Sequence, residues 1–150
     1  MGEPVEPVEL VIDHSGGEVL TSAECLELLA STPVGRIAFL HDGDVVILPI
    51  NIGLWNRSIV FSTQPGSKLD TAVMARQVSV EVDEWNSTTH EGWSVLAKGT
   101  ASTVTDADEI AELDDLSVTA WIRPDAPRSW VRMLPNEITG RRVPATTEET

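Results

Sequence analysis

The sequence is poor in cysteine and in basic residues. It contains one cysteine, Cys25, and 10 lysine and arginine residues against 24 aspartate and glutamate residues. A single cysteine cannot form an internal disulfide or a CxxC site, which argues against cysteine chemistry and agrees with a reducing compartment. The formal net charge of −14 would repel a phosphate backbone or an anionic bilayer, so neither nucleic acid nor a membrane is an expected partner. An anionic ligand would have to bind near Lys68 or near Arg141 and Arg142.

Long apolar runs and targeting signals are also missing. No run approaches the roughly 18 apolar residues of a membrane-spanning helix. The N-terminal stretch MGEPVEPVEL has neither the basic start nor the apolar centre of a signal peptide. We therefore expect a cytoplasmic protein.

The sequence lacks the common metal and hydrolase motifs. His14, His41 and His90 are scattered without a ligand spacing such as HxxxH, and DADE at 106–109 lacks the glycine and terminal glutamate of a calcium loop. There is no GxSxG nucleophile elbow. We predict no metal site and no hydrolase centre.

What the chain does have is the length and composition of one small domain. It contains 150 residues, of which 41% are hydrophobic, enough for an ordinary core. Both ends are rich in small, acidic or proline residues, which is typical of flexible extensions. We predict a flexible segment at 1–18, a folded domain at 19–143 and a flexible tail at 144–150.

The hydrophobic pattern predicts many strands and few, short helices. Asp42-Gly43 between two β-rich runs is a strong hairpin signal. The pattern predicts helices over 22–30, after Ser67 and after Thr105, and strands over 34–40, 44–51, 57–63, 78–85, 92–104 and 129–135. Parallel strands need helical crossovers, which are too few here, so the predicted fold is mainly β: a small, closed or nearly closed antiparallel barrel.

The segment FSTQPGSKLD, residues 61–70, places a glycine, Ser67 and Lys68 between a predicted strand and a predicted helix. Ser67 and Asp70 have the spacing of a capping box, and the first N–H groups of a helix lack partners within it. Such an end can bind phosphate, with Lys68 adding charge and the Thr63 hydroxyl donating from the opposite side. The alternative is an ordinary turn with a capping serine and a solvated lysine. The longer P-loop motif is absent, so the segment alone leaves both interpretations open.

The order of segments around this turn is more specific than the turn. LLASTPVGRIAFL is followed by VVILPIN, RSIVFSTQPGSKLDTAVM, GWSVLAKGTASTVTDADEI and WVRMLPNEITGRRV. Over roughly residues 20–143 this order resembles the pyridoxamine 5′-phosphate oxidase-like, FMN-binding split-barrel family, and most of all its small actinobacterial and nitroimidazole-resistance-like branch. The resemblance implies an antiparallel split β-barrel that binds FMN, and a homodimer with the cofactor at the subunit interface.

The resemblance implies a phosphate site at the strand-to-helix turn. Thr63, Ser67 and Lys68 would hold the FMN phosphate. Relatives often carry a basic or aromatic residue just before this threonine, where the present chain has Ser62. The loss of an arginine there would remove a charge-assisted contact of about 1.5–3 kcal/mol, so we expect weak flavin affinity.

The strand that ends in LPIN would run beside the isoalloxazine ring. The resemblance places the backbone of Pro49 and Ile50 and the side chain of Asn51 at the ring edge, and Ser94 near the ring or the ribityl chain. Proline cannot donate to a sheet ladder, so an irregular or edge position is expected there. The alternatives are that Asn51 ends a strand and that Ser94 faces solvent.

Several C-terminal and aromatic residues are further candidates. Trp130, Arg141 and Arg142 could approach the cofactor from the partner subunit, and Trp130 and Trp93 are candidates for the pairing surface. The alternative is that Trp130 packs in the core and the arginines are solvated. We interpret Trp85 and Trp93, which bracket NSTTHEG, as packing residues rather than as stacking surfaces for a ring.

Three functions agree with these residues. The first is an FMN-dependent oxidoreductase in which the cofactor does the redox chemistry. The second is a reductase that uses a deazaflavin, whose more anionic tail would need a basic groove that this acidic chain offers little of. The third is a non-enzymatic binding module with weakened or lost cofactor affinity. The C-terminal ITGRRV has no histidine to form the arginine–histidine pair of the vitamin B6 oxidases, so we do not expect oxidation of pyridoxamine phosphate.

Overall fold

The computed structural model describes residues 11–12, 16–116, 118 and 125–145. Most of the predicted N-terminal extension, and the predicted tail from 146 onward, lie outside these residues. Strand β1 is Val11–Ile12 and strand β2 is Glu18–Val19, and the two pair with each other. Strand β2 also pairs with the end of the last strand, so the described part of the first 18 residues extends the sheet, which differs from the predicted boundary.

The remaining elements follow the predicted order closely. They are α1 Ser22–Ser31, β3 Val34–His41, β4 Asp44–Asn51, β5 Gly53–Trp55, β6 Ser58–Thr63, α2 Lys68–Ala72, β7 Arg76–Trp85, β8 Gly92–Thr103, α3 Ala107–Asp114 and β9 Ser129–Val143. The largest difference is β9, which continues well beyond the predicted end at Pro135. The structure accommodates this proline at a bulge, because Gly99 pairs with Pro135 while Lys98 pairs with Glu137.

The strands form one antiparallel sheet in the order β1-β2-β9-β8-β7-β3-β4, and β6 pairs with β5 and β9. Strand β9 is bonded to β8 along most of its length, to β6 near its start and to β2 near its end. The sheet curls into a split barrel, in which β9 pairs with β8 on one edge and with β6 and β2 on the other. The predicted fold class is confirmed.

Two tight turns fix the register of the hairpins. Asp42 and Gly43 join β3 to β4 with φ of 51° and 81°, and Asn56 and Arg57 join β5 to β6 with φ of 48° and 64°. Two successive residues with positive φ are typical of a type I′ turn, whose twist matches that of the flanking strands. The predicted hairpin at Asp42-Gly43 is therefore confirmed.

The interior of the barrel is filled by side chains. Val78, Val80 and Val82 of β7 point inward, and Cys25 and Leu29 of α1 close one end. Helix α1 begins with a capping box, as predicted, in which Thr21 and Glu24 bond reciprocally. The alternate residues of β4, β3, β7, β8 and β9 face away from this core, and we call the surface that they form the outer face.

Candidate functional site

A pocket of about 290 Å³ opens between the end of β4 and the turn that precedes α2, and we call it the β4 pocket. Six of the predicted site residues line it, from two segments of the chain that the sequence separates. The lining residues are Pro49, Ile50, Asn51, Ser62, Thr63, Gln64, Ser67 and Leu69. Gln64 and Leu69 were not predicted as site residues, although both belong to residues 61–70, the segment considered as a phosphate site.

The strand side of the pocket is an edge. Among the described strands, β4 is hydrogen-bonded along its length only to β3. Pro49 therefore lies at the edge position that its missing N–H favours, opposite Arg36. Asn51 Nδ2 donates a long hydrogen bond of 3.5 Å to the Pro33 carbonyl oxygen. The edge leaves main-chain groups of β4 accessible to a ligand.

The turn side of the pocket is a capped helix start. Ser67 is the N-cap of α2, and its hydroxyl accepts a hydrogen bond of 3.2 Å from the Asp70 N–H. Gly66 has φ of 78°, which favours glycine. Lys68 is the first residue of α2 and is exposed. The geometry of the predicted turn is thus present, on a helix of five residues.

The donors of this turn already bond a carboxylate of the same chain. The buried Thr63 hydroxyl donates to Asp70 Oδ1 at 2.7 Å, and the Gly66 N–H donates to Asp70 Oδ2 at 2.9 Å. The sequence predicted that Asp70 belongs to a capping box, but not that it reaches Thr63. A phosphate that used both donors would have to displace the Asp70 side chain.

Ser94 and Arg141 lie elsewhere on the outer face. They are direct partners in the β8–β9 register, and Ser94 is also the partner of Asp83 on β7. Continuing the β3–β7 register, Asn51 lies in the same row through Val34. Neighbouring strands are about 4.8 Å apart, so Ser94 lies about 14 Å and Arg141 about 19 Å from Asn51 along the sheet. Within one chain, these two residues do not join the β4 pocket.

Trp130 is a core residue, as the alternative interpretation had it. It is 2% exposed and belongs to a second core cluster with Val60, Val104 and Leu113. Its Nε1 donates to Asp114 at 2.8 Å, so the polar atom of the indole has its partner within the chain. This burial leaves the indole no surface for a cofactor or a second subunit and corrects both predictions for Trp130.

Trp93 and Trp85 differ in their exposure. Trp93 is half-buried and packs against the main core, as predicted for a packing residue. Trp85 is 57% exposed, and its ring contacts Gly92 across the β7–β8 pair. On strands β3 and β4, the large apolar side chains exposed on the outer face are Leu40, Val45 and Ile47.

A charged cluster beside the pocket was not predicted. Arg36 Nη1 lies 3.3 Å from Glu81 Oε1 and 3.0 Å from Asp83 Oδ2. Burial, together with the hydrogen bond and charge of Asp83, raises the pKa of Glu81 to about 7 despite the opposing effect of Arg36. Arg36 is the cross-strand partner of Pro49, so this cluster lies beside the pocket. With a pKa of about 7, the Glu81 carboxyl can gain or lose a proton near neutral pH.

This pKa predicts a pH dependence of stability. An ordinary glutamate ionises near 4.5, so between about 4.5 and 7 the folded state holds a proton that the unfolded state has lost. The free energy of unfolding should therefore fall as the pH rises through that window, by about 1 kcal/mol after allowance for solvent screening of a side chain 35% exposed. Urea unfolding at pH 5 and pH 8 measures the fall, and Glu81→Gln should abolish it. An equal fall in this variant would assign the effect to other groups.

No three histidine, cysteine, aspartate or glutamate side chains among the described residues are grouped closely enough to hold a metal ion. No helix in the described ranges is long and apolar enough to cross a bilayer. The expectations of no metal and no membrane partner remain predictions.

The sequence model of the pyridoxamine 5′-phosphate oxidase family matches residues 21–142. The chain belongs to this family. The structure of an FAD-binding protein from Mycobacterium smegmatis is 37% identical to it, covers 84% of this chain and 99% of its own, and superimposes with a TM-score of 0.73. The family assignment made from the order of segments is confirmed.

Two further similarities support the assignment. An uncharacterised protein of Mycobacterium tuberculosis is 36% identical over 85 residues, which make up 57% of this chain and 74% of that protein. The structure of an FAD-binding protein from Mesorhizobium loti, at 24% identity, covers 85% of this chain and 99% of its own with a TM-score of 0.67, and shows the shared fold. The family and fold thus rest on both sequence and structure.

Proposed function

We propose that this protein binds a flavin nucleotide in the β4 pocket and acts as a flavin-dependent oxidoreductase on a small molecule. The main support is that the LPIN end of β4 and the strand-to-helix turn line the same pocket. The family resemblance implies that these two segments bind the ring and the phosphate of one cofactor. The FAD-binding relative at 37% identity supports a flavin in particular.

The pocket fits a flavin at its ring end. An edge strand presents main-chain groups that a ring edge can bond, and Ile50, which is 9% exposed, gives the pocket an apolar wall. The side chains of Ser62 and Gln64 supply polar atoms between this wall and the turn. A bound flavin would supply the redox chemistry, while the chain binds and orients it and excludes water.

The turn side of the pocket can bind a phosphate only if the Asp70 side chain moves away from Thr63 and Gly66. A phosphate at the turn replaces the Asp70 carboxylate as the acceptor for Thr63 and Gly66, with Lys68 as its counter-charge. FMN is our first candidate, and FAD is the second because the Mycobacterium smegmatis relative binds it. A deazaflavin with an anionic tail is a weaker candidate, since Asp70 and the net charge of −14 oppose such a tail.

We further propose a symmetric homodimer that completes the site. A pocket of about 290 Å³ is at the lower end of the range that encloses a small molecule, so a flavin bound by one chain would remain largely exposed. Ser94 and Arg141 lie too far from this pocket to serve it in the same chain, but they can face the partner's pocket. Twofold pairing forms two such sites at once.

The assignment of the phosphate end is tested by Thr63→Ala combined with Lys68→Ala. The double variant should bind FMN at least tenfold more weakly and riboflavin less than threefold more weakly, because only FMN carries the phosphate. Fluorescence titration of each flavin measures both affinities.

Thr100→Ala with Arg76→Ala is the matched control, since it removes one hydroxyl and one cation outside the pocket. Equal losses for FMN and riboflavin would remove the turn from the site. Failure of the wild-type protein to bind any flavin would instead favour a non-enzymatic module.

A further inference from the structure

The positions of Ser94 and Arg141 restrict how two copies of the chain can pair in the proposed dimer. Both share a row of the outer face with Asn51 and lie about 14 and 19 Å from it along the sheet. A twofold axis that brings them to Asn51 of a second copy runs parallel to the strands, because only such an axis keeps the row opposite itself. It passes midway between the residues that it exchanges, about 7–10 Å from Asn51. The axis therefore lies at β7, on the side of β3.

The charged cluster of Arg36, Glu81 and Asp83 lies on these two strands. Arg36 Nη1 on β3 is 3.3 Å from Glu81 Oε1 and 3.0 Å from Asp83 Oδ2 on β7, and the strand register places all three side chains on the outer face. The axis brings the cluster of one copy against the cluster of the other. Since each copy holds two carboxyls and one guanidinium, full ionisation would leave an excess of negative charge at the interface.

Glu81 is the carboxyl that can remove this excess charge. Burial and the neighbouring Asp83 raise its pKa to about 7, against the opposing effect of Arg36. On β8 its direct partner is the uncharged Leu96, and Lys98 is at the diagonal position, about 7–8 Å away. A second copy on this face would exclude water and add two more carboxyls, and both changes favour the protonated acid.

Trp85 supports a second copy as the occupant of this face. It lies on β7 two residues beyond Asp83, on the same face, and its ring, which contacts Gly92, is 57% exposed. A residue on the strand at the axis lies opposite its own symmetry mate. Pairing would therefore cover two indoles with each other and bury apolar area in both copies at once.

We propose that the outer faces of two copies pair around β7, and that the dimer forms with Glu81 protonated in both chains. This inference rests on the homodimer of the proposed function and makes its stability depend on pH. Above about pH 7 the free chain has lost the proton, so pairing must take it up, and the dimer weakens as the pH rises. Below that pH the free chain already holds the proton, and the dependence levels off.

Sedimentation velocity of the full chain, over a concentration series at pH 6.5 and pH 8, tests the proton dependence. The dissociation constant of the wild-type dimer should rise at least tenfold between these two values. Glu81→Gln keeps a neutral hydrogen-bonding side chain, so its dissociation constant should change less than threefold. Glu84→Gln is the matched control, because residue 84 is on the same strand but alternates to the opposite face, and it should keep the wild-type dependence.

Cross-linking tests the position of the axis independently of Glu81. A short bismaleimide at pH 6.5 should join two Ser79→Cys chains to each other, because residue 79 lies on the outer face of β7. Thr139→Cys is the control on β9, two strands away, where symmetry mates are about 20 Å or more apart along the sheet and should not be joined. The native Cys25 is buried and should not react.

Equal dissociation constants at the two pH values, or a rise in Glu81→Gln as large as in the wild type, would overturn the proposal while leaving a homodimer in place. Equal cross-linking of the two cysteine variants would likewise reject the axis at β7. A wild-type protein that is monomeric at both pH values would overturn the proposal together with the homodimer. Titration of the same samples with FMN then shows separately whether flavin binding stands.

Discussion

Replacing Asp70 by asparagine is expected to increase the preference for FMN over riboflavin at least tenfold. In the wild type the carboxylate bonds Thr63 Oγ1 and the Gly66 N–H at 2.7 and 2.9 Å, which are the donors a phosphate needs. Asparagine removes the negative charge and cannot accept from both donors in the same way. Charge-assisted hydrogen bonds such as those of Asp70 contribute about 1.5–3 kcal/mol. A tenfold change in the FMN preference needs only about 1.4 kcal/mol of this.

The measurement is the ratio of the dissociation constants of riboflavin and FMN in each variant. Asp108→Asn is the control, because it makes the same change in the first turn of α3, away from the pocket. We expect this control to keep the wild-type ratio. An unchanged ratio in Asp70→Asn would mean that the carboxylate does not compete with the phosphate.

Introducing a charge at Ile47 should dissociate the proposed dimer. Ile47 is 62% exposed on the outer face, and Val45 and Leu40 beside it are 71% and 59% exposed. We propose these three side chains in place of Trp130 for the pairing surface, because they are exposed neighbours on the β3–β4 hairpin, next to the β4 pocket. A lysine at 47 would become an unpaired charge within an apolar interface, so the dissociation constant should rise at least a hundredfold, which is about 2.7 kcal/mol.

Sedimentation velocity over a concentration series measures this change. Leu134→Lys is the matched control, since Leu134 is 63% exposed but lies at another pocket, beside Arg57. Ile47→Lys should sediment as a monomer and bind flavin weakly, while the control remains a dimer. A monomeric wild type, or equal behaviour of the two variants, would contradict the proposed interface.

The fold could be predicted because its signals are local. Alternation of apolar residues over 78–85 and the Asp42-Gly43 turn each depend on neighbours along the chain, and the structure confirms both. The extension of β9 beyond Pro135 could not be predicted this way. It depends on pairing with β8 and on a bulge that accommodates the proline, and neither is visible in the sequence of β9 alone.

The β4 pocket could be predicted in outline because the family resemblance named both of its walls. What could not be predicted were side-chain contacts across the structure. The Thr63–Asp70 bond requires the hydroxyl to point toward the helix start, and the Arg36 cluster requires the β3–β7 register. Helix α3 covers Trp130, whereas Trp85 at the end of a hairpin stays 57% exposed, and neither degree of burial follows from the residues next to each tryptophan in the sequence.

Flavin binding at a site shared by two subunits is tested by sedimentation velocity of the wild-type protein with added FMN, detected at the visible absorption of the flavin. We expect the flavin to sediment with a dimer at one molecule per chain, and Thr63→Ala with Lys68→Ala to shift it to the free pool. Flavin that sediments stoichiometrically with a monomer would contradict the shared site, and flavin that remains free at saturating concentration would contradict flavin binding itself.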